Sequence, residues 1–197
     1  MTECTWKEEK RNRAVLVGLN AYSLSAEDNA TETTLEELAA LLETAGGECV
    51  GVVLQNKDKP DARTFIGEGK VDEVRELAQA VEADLVVFDN EISPAQVRVL
   101  TEDIGIQVMD RAGLILDIFA QRARTKEGRL QVALAQYKYL LPRLTGMWGH
   151  LVRQTASGGK SPIGTRGPGE TQLETDRRHI RRKIQKLEED LKDVRRV

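Results

Sequence analysis

The sequence DLVVFDNEISPAQ, residues 84–96, combines two local signals. Its first half is a short apolar run between two aspartates, which is typical of a strand buried on both faces. Its second half offers Ser93 as an N-cap, Pro94 at the first helical position and Gln96 three residues after the cap, which predicts a helix start. A buried strand followed by a capped helix indicates one βα unit of a parallel sheet.

Similar units flank this stretch on both sides. Further apolar runs predict strands at residues 14–19, 49–54 and 106–109, with a polar turn at 55–60. Helical spacing of apolar residues predicts helices at residues 31–45 and 70–83, the first with capping-box pairs Thr33/Glu36 and Thr34/Glu37. The alternation predicts an α/β fold at residues 12–109, with a small parallel sheet of about four strands and flanking helices.

The α/β part lacks the usual loop of a dinucleotide site. No G-x-G-x-x-G follows the first strand, because Gly18 is succeeded by Leu19 and no second glycine arrives. Carboxylates at the predicted strand ends, Asp89, Glu91 and Asp110, leave open a self-contained enzyme or ligand-binding domain with a site there. No histidine or cysteine cluster accompanies them, so we predict no catalytic residue and no metal site.

Charge is distributed unevenly along the chain. Residues 1–121 carry 11 Lys and Arg against 24 Asp and Glu, a net charge of −13, whereas residues 122–183 carry 14 against 4, a net charge of +10. Phosphate repels the first part and attracts the second, which suggests that the basic part binds nucleic acid. An arginine-rich, solvated helix face is the alternative, and charge alone favours it.

Residues 110–197 are predicted to form a helical arm. Apolar residues follow heptad spacing in two places, which predicts two helices that bury their seams on each other as an antiparallel coiled coil. The two seams are Leu130, Leu134, Tyr137, Leu141 and Leu144, then Ile180, Ile184, Leu187, Leu191 and Val194. Pro142 lies within the first seam, so a kink or an early helix end is expected there.

A Gly- and Arg-rich loop at residues 150–169 is predicted at the tip of this arm. Glycine allows close approach of backbone N–H groups to phosphates, and arginine binds phosphates through paired hydrogen bonds. The candidate phosphate-binding residues are therefore Arg143, Arg153, Lys160, Arg166, Gly167, Gly169, Arg177 and Arg178. Arg181 and Arg182 fit either RNA binding or ordinary helix surface.

Other classes of function are disfavoured by what the sequence lacks. Gly159-Lys160-Ser161 resembles the end of a Walker A loop, but Gln154 stands where its first glycine belongs and Pro162 follows, so no nucleotide-binding residue is predicted. No apolar run is long enough to span a membrane. With two cysteines and no secretory signal, a cytoplasmic protein is expected.

Several motifs together resemble the N-terminal region of the HflX family of ribosome-associated GTPases. The most specific is GTRGPGETQLETDRR at residues 164–178. The others are FIGEGK at 65–70, residues 84–96, MDR at 109–111, LILDIFAQRA at 114–123 and GRLQVALAQ at 128–136.

The resemblance implies an α/β part and a two-helix arm joined to a downstream G domain that binds GTP and Mg²⁺. It also implies that the glycine-rich loop contacts rRNA of the large ribosomal subunit, and that the protein acts in ribosome splitting or rescue. Because Walker A and NKxD motifs are missing, we expect this chain to be a fragment without GTP hydrolase activity of its own.

Overall fold

The computed structural model describes residues 12–144 and 168–195. Within these two ranges, the α/β elements alternate strictly and are followed by three helices without an intervening strand. In chain order they are β1 (Arg13–Ala21), α1 (Glu32–Thr44), β2 (Glu48–Lys57), α2 (Glu68–Ala80), β3 (Leu85–Phe88), α3 (Pro94–Ile104), β4 (Gln107–Asp110), α4 (Arg111–Arg122), α5 (Lys126–Leu140) and α6 (Pro168–Arg195). Within the described ranges, no helix is both long and apolar enough to cross a lipid bilayer.

The four strands form one parallel sheet in the order β2-β1-β3-β4, which confirms the predicted fold class. β2 is longer than predicted and takes in Gln55 to Lys57, which the sequence assigned to a polar turn. It continues because each of these residues pairs with β1, up to Ala21 opposite Lys57. Since the chain passes from β1 to β2 in one direction and to β3 in the other, the sheet reverses its winding between β1 and β3.

Two apolar layers cover the sheet. One face packs against α2 and α3 through Val74 and Leu100, both fully buried. The other packs against α1 and α4, with Leu38 and Leu114 among its buried side chains. α4 therefore packs on the sheet, while the predicted domain boundary at residue 109/110 stays a prediction.

Helix starts follow the caps that the sequence encodes. The Ser93 side chain accepts from the Gln96 backbone N–H, and the Gln96 side chain accepts from the Ser93 backbone N–H, which confirms the predicted capping box. For α1 the prediction was wrong in detail, because Thr31 is the N-cap and pairs reciprocally with Thr34. α5 ends at Leu140, so the helix stops ahead of Pro142, as expected.

Asn90 joins the ends of the two central strands. Its Oδ1 accepts from the Leu19 backbone N–H at 2.8 Å, and its Nδ2 donates to the backbone oxygens of Leu19 and Asp28 at 2.9 and 2.7 Å. The side chain thus continues the sheet where β3 has ended. Gly18 allows the Ala30 segment to approach the same region, since a Cβ there would lie 2.5 Å from the Ala30 Cβ.

Replacing Asn90 with alanine is expected to lower the free energy of unfolding by about 2–3 kcal/mol, because the buried polar groups of Leu19 lose their partner. Urea denaturation followed by circular dichroism measures the change. Asn56→Ala, at an exposed position of β2, is the matched control and should change stability by less than about 0.5 kcal/mol. Equal effects of the two substitutions would contradict this account of Asn90.

Candidate functional site

One side of α6 carries a row of basic side chains. Arg178, Arg181, Arg182 and Lys186 are all exposed, and at about 100° per residue they fall on one side of the helix. The apolar residues from Ile180 to Val194 fall on the opposite side, and Ile180 itself is buried. We call these four residues the basic face. Among the described side chains, no acidic group forms an ion pair with any of them.

The other side of α6 packs against α5. Lys183 Nζ lies 3.3 Å from the Tyr137 hydroxyl and 5.3 Å from the centre of its ring. Lys138 Nζ pairs with Glu188 at 2.6 Å. These contacts hold the basic face away from α5. The two helices therefore pack together as predicted, while their antiparallel coiled-coil geometry stays a prediction.

The Lys138 ammonium holds the pKa of Glu188 below its ordinary value of 4.5, with a smaller contribution from Lys192. Because this pKa is lowered, the contact stabilises the α5–α6 pair above pH 4.5 and is lost as the pH falls through the lowered pKa. We expect Lys138→Met to raise the pKa of Glu188 towards 4.5, and Lys192→Met to raise it less. An NMR titration of the Glu188 carboxyl measures both shifts, and an unchanged pKa in Lys138→Met would rule out the ion pair.

The predicted RNA-binding residues occupy different environments. Arg178 is exposed on the basic face, whereas Arg177 is half-buried beside it. Gly169 lies in the first turn of α6. Arg153, Lys160, Arg166 and Gly167 lie outside the described residues.

Arg143 lies in a different environment from the exposed Arg178. Its side chain is only 13% exposed and its Nη2 lies 3.1 Å from Asp110 Oδ2, so its charge is neutralised within the protein. The sequence predicts a phosphate contact for Arg143 because this residue precedes the basic loop. Its partner lies 33 residues away, and no local pattern reveals that pairing.

Arg181, Arg182 and Lys186 are the basic-face residues that the candidate set lacked. The signal that could have found them is their position relative to the apolar seam. Residues spaced by three and four from Arg178, and opposite Ile180 and Ile184, must point away from a packed partner helix. Their exposure in the structure agrees with that geometry.

The fully buried carboxylate of Asp110 connects the end of β4 to the C-terminal end of α5. Asp110 caps α4 by accepting from the Gly113 N–H at 3.1 Å, and the same Oδ1 accepts from the Tyr139 hydroxyl at 2.7 Å. Its other oxygen accepts from Arg143, whose guanidinium stacks 3.6 Å from the centre of the Tyr139 ring. We call Asp110, Tyr139 and Arg143 the Asp110 cluster. Burial and the hydrogen bond to Asp110 raise the pKa of Tyr139, which therefore remains a neutral donor.

The acidic residues considered as catalytic groups are largely engaged in structure. Asp89 accepts from the Thr34 hydroxyl and pairs with Arg111 at 2.8 Å, and Asp110 is saturated as described. Glu91 is exposed. Among the described residues, no group of His, Cys, Asp and Glu side chains is arranged to hold a metal ion.

A cleft of about 560 Å³ opens at the carboxyl ends of β1 and β3. This is where the winding of the sheet reverses, the usual position of ligand sites in α/β folds. Both polar and apolar side chains line the cleft: Leu24, Asp28, Phe65, Asn90, Glu91, Ile92, Ser93, Pro94, Gln96 and Arg143. The Asn90 amide and the Ser93 hydroxyl already hold the backbone, so the cleft presents few unengaged polar groups.

Two family models match consecutive parts of the chain. The one described as GTP-binding GTPase N-terminal matches residues 32–120, and the one described as GTP-binding GTPase Middle Region matches residues 122–197. The first match ends within α4. The chain thus matches, in order, the N-terminal and middle regions of the GTP-binding GTPase family.

Curated relatives identify the family. The GTPase HflX of Alkalihalophilus pseudofirmus is 49% identical over 188 residues, which are 95% of this chain and 43% of that protein. The GTPase HflX of Caldanaerobacter subterraneus is 47% identical over 184 residues, which are 93% of this chain and 40% of that protein. The chain belongs to the HflX family and spans about two fifths of the length of these relatives.

A solved structure shares the fold. A GTP-binding protein from the archaeon Sulfolobus solfataricus, crystallised in complex with GDP, superimposes with a TM-score of 0.61 at 20% sequence identity. The match covers 93% of this chain and 46% of that one. At this identity the similarity supports the α/β fold and the helices that follow it.

Proposed function

We propose that this chain is the region of an HflX-type GTPase that binds the large ribosomal subunit by contacting its rRNA, in a protein that splits or rescues ribosomes. GTP hydrolysis would take place in a downstream G domain, with GTP and Mg²⁺ as its ligands, in the cytoplasm. The proposal follows from the family and from the charge distribution.

The basic face of α6 is the observation that carries this proposal. It presents four cations on one side of a helix, with no acidic partner among the described side chains, and it lies next in sequence to Arg153, Lys160 and Arg166. Cations that have no acidic partner in the protein can bind phosphates without first breaking an ion pair. The −13 charge of residues 1–121 would orient the rest of the molecule away from the RNA.

Co-sedimentation with purified large subunits tests the proposal. We expect the chain to pellet with subunits at about 50 mM salt and to dissociate progressively towards about 200 mM, because phosphate contacts release counterions. Small subunits provide the specificity control. Failure to bind large subunits even at low salt would contradict the proposal, since electrostatic affinity is strongest there.

A ligand-binding or enzymatic role for the cleft is the second candidate, and the position of the cleft at the strand ends favours it. Glu91→Gln discriminates between the two proposals. Glu91 is exposed in the cleft, on a different element from the basic face, so the substitution should leave subunit binding unchanged if α6 carries the function. A loss of subunit binding in Glu91→Gln would favour a role for the cleft instead.

A further inference from the structure

We now use the word arm for α5 and α6. The junction between the α/β domain and this arm depends on few buried contacts. α5 contains no buried residue along its whole length, although it touches both α4 and α6. A side-chain hydrogen bond from Gln136 on α5 to Asp117 on α4 is 3.4 Å long and exposed. The apolar side chains of α5, such as Leu134, are half-buried, so apolar packing alone defines the direction of α5 less tightly than a buried core would.

The Asp110 cluster is the buried, directional part of this junction. Asp110 is completely inaccessible, and it binds residues 29 and 33 positions further along the chain. Arg143 reaches two different elements, because Nη2 donates both to Asp110 at the end of β4 and to the Ile92 carbonyl before α3. Nη1 donates to the Tyr139 carbonyl at the end of α5. A planar guanidinium held in this way fixes both the orientation of the end of α5 relative to the sheet and the distance between them.

The sequence also makes room for this close approach. Gly113 lies under the Tyr139 hydroxyl, and a Cβ at that position would lie 2.7 Å from the phenolic oxygen. A side chain there would push Tyr139 away from Asp110. Leu144, which follows the cluster, is itself buried.

We propose that Asp110, Tyr139 and Arg143 are positioning residues that fix the direction in which the arm leaves the α/β domain. The cluster thereby determines where the basic face of α6 is presented. Only the consequence for RNA binding rests on the proposed function. The direction of the arm is a property of the chain by itself, and it can be measured without ribosomes.

Distances between two spin labels test the proposal directly. Cysteines replace the exposed Glu36 on α1 and Lys192 on α6, in a chain with Cys4 and Cys49 changed to serine. We expect one narrow distance distribution in the parent. It should broaden and shift in Tyr139→Phe and more strongly in Arg143→Met, with Arg143→Lys in between because lysine keeps the charge but not the fork.

Asp117→Asn is the matched control, because it alters the exposed α4–α5 hydrogen bond and leaves the cluster intact. Its distance distribution should equal that of the parent. Amide NMR spectra of the sheet residues show that each variant is folded. Unchanged distributions in both Tyr139→Phe and Arg143→Met, or equal broadening in Asp117→Asn, would overturn the proposal.

Subunit binding separates this proposal from the proposed function. If only about a tenth of the molecules hold the arm in the correct direction, the apparent affinity for subunits falls about tenfold. The salt dependence should keep its slope, since the number of phosphate contacts is unchanged. A parent chain that fails to bind subunits would refute the proposed function, while the label distances would still decide the role of the cluster.

Discussion

Changing Arg178, Arg181 and Arg182 together to glutamate is expected to weaken binding to large ribosomal subunits by more than about 100-fold at 150 mM salt. All three are exposed on the basic face, so the substitution reverses charge without disturbing the packed side of α6. Glutamate favours helix about as well as arginine does, so the helix should persist. Equilibrium binding to purified subunits measures the loss.

The salt dependence gives this prediction a second, independent readout. Each lost phosphate contact lowers the slope of log affinity against log salt by about 0.7–0.9, so three contacts lower it by about 2–3. A control with the same change in net charge replaces Lys59, Arg98 and Lys126, all exposed and outside α6, with glutamate. If the control loses as much affinity as the basic-face variant, long-range charge rather than contact explains binding.

The α/β fold could be predicted because its signals are local. The Ser93–Gln96 capping box and the apolar run before it lie within thirteen consecutive residues, and both behave in the structure as the sequence indicates. Boundaries were less accurate where pairing with a neighbour decides them. β2 extends to Lys57 because β1 continues beside it, and the polar residues of β2 conceal this.

The candidate site was predictable only in part, for a different physical reason. Arg178 could be predicted because residue spacing along a helix determines the side on which each residue lies, and this spacing places Arg178 opposite the apolar seam. The environment of Arg143 depends instead on Asp110, which is remote in sequence and fully buried. No local pattern reveals this ion pair, so the sequence shows only that Arg143 lies beside a basic loop, and its contact with RNA stays a prediction.

Asp110→Ala should be the most destabilising of the substitutions considered, lowering the free energy of unfolding by about 3–5 kcal/mol. The variant leaves the guanidinium of Arg143, only 13% exposed, without its carboxylate, and it removes the N-cap of α4. Urea denaturation measures the loss. Asp117→Ala, at the exposed α4–α5 contact, is the control and should cost less than about 0.5 kcal/mol.

The double variant Asp110→Ala with Arg143→Met distinguishes a lost attraction from an uncompensated buried charge. If the unpaired guanidinium causes most of the penalty, methionine at residue 143 should restore part of the stability, and the two effects will be strongly non-additive. The loss of the α4 cap remains in the double variant, so about 1 kcal/mol of the penalty should persist. Additive effects, or a cost below about 1 kcal/mol for Asp110→Ala alone, would mean that water reaches the cluster and screens its charges.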